Sequence, residues 1–141
     1  MMATTHGLEP LRSLQLFEPP DGMWANLGMR ITLADEASAV VEGNFSLEAH
    51  GRAGQIHRGA AAAIADCATA CAAATLAAEG EIATTVELLL DFFRPARPGR
   101  ALARGTVLHR AGHLVYCAAT VEQRGAVVAE AHATIALVRP A

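Results

Sequence analysis

The sequence predicts an α+β chain in which an antiparallel sheet curls round one long apolar helix. Three observations carry this. Residues 59–78 form a twenty-residue run of small apolar side chains with a single formal charge, Asp66. Four strand-like segments follow it without an intervening helix. Two more precede it, so the economical assembly is one sheet covering one helix. Small alanine side chains let that helix approach the sheet closely, and a helix apolar on most of its faces must be wrapped by something else.

The elements read in chain order as follows. Residues 8–17 place Leu8, Leu11, Leu14 and Leu16 at helical spacing and stop before Pro19 and Pro20, which predicts a short helix. Residues 28–33 and 37–45 read as strands joined by a turn at Ala34, Asp35 and Glu36. A loop over 49–55, with Gly51 and Gly54, leads into the alanine helix. That helix is expected to close at Glu79-Gly80-Glu81, with Gly80 as a left-handed cap. Residues 84–94, 100–109, 113–123 and 127–138 are strands, with short turns at Ala111-Gly112 and Arg124-Gly125.

Composition limits the function. A chain of 141 residues is one ordinary domain, here taken as residues 1–141 with residues 1–7 disordered. A formal charge of -3 lacks the basic field that broad nucleic-acid binding needs. All 11 cationic side chains are Arg, which reflects genome composition before it reflects phosphate capture. Cys67, Cys71 and Cys117 form an odd set, two of them in the apolar helix, where they act as small hydrophobes; reduced cytoplasm is the expected compartment. No metal site is expected, because Cys67 and Cys71 share a helix face without further ligands. Residues 1–7 lack a signal-peptide pattern, and the alanine helix is too weakly apolar to be a membrane span.

The charge inside the apolar helix is the first candidate for chemistry, since an ionised group buried there costs several kcal/mol unless partners or function hold it. Ahead of it, His57-Arg58-Gly59 opens the helix, where unpaired backbone N–H groups carry partial positive charge and can hold an oxyanion. Seven residues at about 1.5 Å each separate Gly59 from Asp66 by roughly 10 Å along the axis. One helix therefore cannot bring both groups to one carbon, whereas two antiparallel copies across a two-fold axis can. An obligate homodimer with two interface sites is the expectation.

At this point the sequence resembles a family. His57-Arg58-Gly59-Ala60, Ala63-Ile64-Ala65-Asp66, and Thr85-Val86-Glu87-Leu88 running to Asp91-Phe92-Phe93-Arg94-Pro95 resemble the signature of hotdog-fold acyl-CoA thioesterases of the phenylacetic-acid-degradation type. The resemblance spans residue 54 to the C-terminus. It implies Asp66 as nucleophile or general base, His57 as the family histidine, the Arg58 N–H with neighbouring Gly59 as carbonyl-polarising group, and Thr85 as the hydroxyl that orients water or carboxylate. It places coenzyme A contacts near Glu87, Phe92 and the basic turn Arg110-Ala111-Gly112-His113. Coenzyme A then belongs to the substrate, no separate cofactor is needed, and dimers pairing into tetramers are implied.

Two departures stand out. The family has Gly-Gly after the histidine, and here the first is Arg58, whose side chain can narrow the acyl pocket or reach a coenzyme phosphate. Relatives carry an Asn about six residues before the histidine, where this chain has Gly51 between His50 and Arg52; either His50 substitutes or turnover is slow. The expected reaction is hydrolysis of an aryl- or medium-chain acyl-CoA. Alternatives are a non-catalytic acyl-CoA binding protein and, lower in rank, an enoyl-CoA hydratase or dehydratase. His6, His109, His132 and the arginines at 94, 97, 100 and 104 read as tail, strand-end and solvent-facing groups, and Trp24 as core or tunnel wall.

Overall fold

The computed structural model describes residues 22–141, so the helix expected over 8–17 and the tail at 1–7 lie outside the described residues. A short helix α1 (Gly22–Asn26) precedes strands β1 (Arg30–Asp35) and β2 (Ser38–Phe45). Then come the one-turn helix α2 (Leu47–His50), a small ladder β3 (Gly51–Arg52) and β4 (Gln55–Ile56), and the long helix α3 (Arg58–Ala74). Strands β5 (Ile82–Phe92), β6 (Gly99–Ala111), β7 (Leu114–Gln123) and β8 (Ala126–Val138) complete the chain. Six strands form one antiparallel sheet in the order β1-β2-β6-β7-β8-β5. With α3 packed on its inner face, this is the α+β hotdog arrangement that the sequence predicts.

Alternation sets the faces. Val115, Cys117, Ala119 and Val121 of β7 point inward and are buried, as are Ala129, Ala131, Ala133 and Ile135 of β8. Ala119, Val121, Ala129 and Ala131 share a core cluster with Ile64, Ala65, Ala68 and Ala72 of α3, while Val115, Cys117, Ala133 and Ile135 cluster with Ala73. The approach is closest at Gly105 of β6, where a Cβ would run into the carbonyl of Ala68. This is why small residues line both partners.

Three local expectations are corrected. The helix ends at Ala74, not at Gly80: the Thr75 hydroxyl donates to Ala72 O at 2.7 Å and accepts from Ala37 N at 2.8 Å, fixing the helix end to the β1–β2 turn. Gly80 does adopt φ +82, but within a turn in which Glu81 N donates to Ala78 O at 3.0 Å. The loop over 49–55 contains part of α2 and the β3–β4 ladder, because Ser46 caps α2 by accepting from Ala49 N at 3.1 Å. The β1–β2 turn falls at Glu36-Ala37, with Ala37 at φ 67.

The helix is also less enclosed than its composition suggests. Ala62, Ala63, Asp66, Cys67 and Ala70 form a half-buried stripe at helical spacing, with Asp66, Cys67 and Ala70 opening along the β5 edge of the sheet. β5 is an edge strand with one side unpaired within the sheet, and Val86, Leu89 and Phe92 on it are exposed.

Candidate active site

Asp66 lies on the open stripe of α3, where neighbouring side chains are too small to cover it. The Thr85 hydroxyl donates to Asp66 Oδ1 at 2.7 Å. Thr85 faces the helix because it pairs with inward-facing Ile135, and an extra residue at Val86 shifts the register immediately afterwards. A groove of about 440 Å³ opens beside this pair, lined by Trp24, Cys67, Ala70 and Ile82 among others. Trp24 thus forms part of the wall.

Cys67 shares the groove but is no nucleophile at neutral pH. Burial, reinforced by the adjacent Asp66 charge, pushes its thiol up to about 12. Cys71 is raised further by the same burial, and Cys117 reaches about 11. Among the described residues no cluster of metal-ligating groups occurs, and no helix is long and apolar enough to cross a membrane.

The second half of the site is the start of α3. His57 is the N-cap, and its Nδ1 accepts from Gly59 N at 2.8 Å. A neutral His57 ring therefore carries its proton on Nε2. Ala60 N donates to His57 O at 3.0 Å. The Arg58 N–H has no acceptor among the described residues, which leaves it, and not Gly59, as the free amide at the helix tip. The Arg58 guanidinium lies 6.0 Å from the Phe92 ring centre, a cation–π arrangement, and borders a groove of about 370 Å³ with Arg52, Gln55 and His57.

The remaining expected residues are dispersed. Glu87 points to the outer face, opposite Thr134, away from α3. The turn from Arg110 to His113 sits at the far end of α3, where Arg110 Nε donates to Gly112 O at 2.9 Å and Nη1 to Leu76 O at 3.2 Å. Its guanidinium is partly committed to the fold. The protomer groups Asp66 with Thr85, and His57 and Arg58 with Gly59 and Phe92. It does not bring Asp66 to His57 or the Arg110 turn to either.

His50 does not stand free to replace the missing Asn. Its Nδ1 accepts from Ser46 N at 3.0 Å, and its Nε2 meets Asn26 O at 3.0 Å and Asn26 Oδ1 at 2.8 Å. Gly51 could not carry an Asn there, since a Cβ would collide with the Leu47 carbonyl. Sequence reasoning missed the Asn26–His50 contact, which joins residues 24 apart with no shared motif.

Comparison with known proteins decides the family. The model of the Thioesterase superfamily matches residues 53–133, more than half of the chain. The chain belongs to the Thioesterase superfamily. No curated protein gives a sequence match. Among solved structures, the phenylacetic acid degradation-related protein of Ralstonia eutropha is 26% identical with a TM-score of 0.80, over 92% of this chain and 98% of that one. An Asn-to-Asp variant of the phenylacetic acid degradation protein PaaI from Thermus thermophilus is 26% identical with a TM-score of 0.75, over 84% and 100%. The E. coli PaaI protein shares the fold at 21% identity and a TM-score of 0.83, over 97% and 96%. This thioesterase is a thioester hydrolase with PaaI-like relatives.

Proposed function

We infer that the protein hydrolyses an aryl- or medium-chain acyl-CoA to the free acid and coenzyme A, at two sites shared between protomers of a homodimer. The observation that carries this is the Thr85 hydroxyl bond to Asp66 at 2.7 Å on the open face of α3. It fixes a carboxylate where a second chain can reach it. The exposed apolar edge of β5 supports pairing, because a long unpaired edge strand favours addition of another strand. Two such dimers would then join into a tetramer.

In this reading Asp66 of one protomer attacks the thioester carbonyl carbon, or takes a proton from a water that does so. The oxyanion is held by the Arg58 N–H of the other protomer, with the His57 Nε2–H beside it. Collapse of the tetrahedral species breaks the C–S bond and releases coenzyme A as a thiolate, which takes its proton from the protonated Asp66 or from water; where Asp66 has attacked directly, water then cleaves the mixed anhydride, freeing the acid and the carboxylate. An antiparallel partner also brings its Arg110 to His113 turn toward Phe92 and Arg58, where the coenzyme would lie. No separate cofactor is invoked, and the proposed compartment is the cytoplasm.

The test is thiol release from acyl-CoA substrates. Asp66→Asn should fold and dimerise yet lose roughly a hundredfold or more in kcat. Mixing Asp66→Asn with His57→Ala subunits should restore about a quarter of wild-type activity, because half the dimers then hold one intact site. Wild-type turnover by Asp66→Asn removes that residue from the mechanism. No recovery on mixing removes the shared site.

A further inference from the structure

Both ring nitrogens of His50 are engaged, and the directions of their bonds can be assigned. Nδ1 accepts the Ser46 N–H at 3.0 Å, so a neutral ring carries its proton on Nε2. Nε2 then donates toward Asn26, whose backbone O lies at 3.0 Å and side-chain Oδ1 at 2.8 Å. This fixes the orientation of the Asn26 amide: Oδ1 faces His50, and the NH₂ group faces away from it. The NH₂ group has no acceptor among the described residues.

The same histidine holds the catalytic turn, because His50 O accepts from His57 N at 2.8 Å. Asn26 is therefore tied through His50, by its ring on one side and its backbone carbonyl on the other, to the residue that caps α3. A groove of about 200 Å³ lies between them, walled by Met23, Leu27, His57, Gly59 and Ala63 as well as Asn26. Apart from Asn26 and the two histidines, its walls offer almost nothing polar. It adjoins the tip of α3, where the acyl carbonyl is placed in the reading above.

We propose that Asn26 is a specificity-determining residue: its amide, held by His50, donates a hydrogen bond to an oxygen substituent on the acyl group. The inference rests on the thioesterase reading for the position of the acyl chain and adds the chemical class of acyl group selected. An acyl chain with an acceptor oxygen satisfies the amide, whereas a plain hydrocarbon of equal length strips water from it without replacement.

The experiment compares oxohexanoyl-CoA isomers, whose added oxygen only accepts, with hexanoyl-CoA, by thiol release and by calorimetric binding, in wild type, Asn26→Asp and Asn26→Leu. Asn26→Asp keeps an oxygen for the His50 Nε2–H but loses the donor; Asn26→Leu loses both. The expected result is about a tenfold wild-type preference in kcat/KM for at least one oxo isomer, carried by KM. Asn26→Asp should abolish that preference, the preferred isomer losing more than hexanoyl-CoA, with the melting temperature near wild type. An equal loss on every substrate assigns Asn26 to the fold or to the common chemistry and overturns the proposal, as does an unchanged preference in Asn26→Asp. If wild type releases no thiol but binding keeps an Asn26-dependent preference, hydrolysis falls and this inference stands. If neither hydrolysis nor preference is found, both fall.

Discussion

At the scale of single residues, the groove beside Asp66 contains a carboxylate and a thiol on adjacent positions, and environment decides between them. The Cys67 thiol, pushed up to about 12, keeps its proton at neutral pH. Iodoacetamide at pH 7 should therefore leave thioester hydrolysis intact, and rapid inactivation at that pH would contradict the assignment. The same shift has a stability consequence. All three thiols are raised from 9.0, so the folded chain retains protons that the unfolded chain loses. Their contribution to stability is complete below about pH 9 and declines as pH rises toward 12. Chemical denaturation at a series of alkaline pH values should show a falling unfolding free energy, less steep in Cys67→Ala. As candidates, Asp66 was legible as the one formal charge in residues 59–78 and His57 by its place ahead of that run, whereas Thr85, beside Thr84, came from the family resemblance alone. The Asn26–His50 contact was not legible, since only the folded α2 brings His50 back onto α1.

Among the elements, α3 was the most legible because composition alone marks it, yet its end was misplaced. Alanine continues to residue 78, but the Thr75 hydroxyl bonds stop the helix where it meets the β1–β2 turn, and no local pattern records a contact with Ala37 N. The strands were found from alternation and turn glycines, while the pairing with Ile135 that aims Thr85 at Asp66, just ahead of the register shift at Val86, has no sequence signal. Close approach of α3 to β6 gives the sharpest element-scale prediction. Gly105→Ala would press a methyl group against the Ala68 carbonyl, and the backbone shift needed should cost about 1–3 kcal/mol. Urea unfolding should register that loss, and a variant as stable as wild type would show that the helix can lift without cost.

For the whole molecule, separation of the two half-sites along α3 makes assembly the central question. Arginine at Val86 and Leu89, both exposed on the free side of the sheet, should disfavour strand addition, and mass measurement in solution should find monomers. Activity should disappear together with the dimer; active monomers would refute the shared site. Antiparallel order and the single covered face followed from strand count and helix number. That β5 stands at one edge, with β1 at the other, followed from neither, because the crossover that leaves β5 outside β8 depends on long-range pairing. The sheltered thiols have a practical side. A cysteine introduced as Leu89→Cys would be the readily labelled one at neutral pH, so a nitroxide placed there could report interprotomer spacing by pulsed electron resonance without first stripping out Cys67, Cys71 and Cys117.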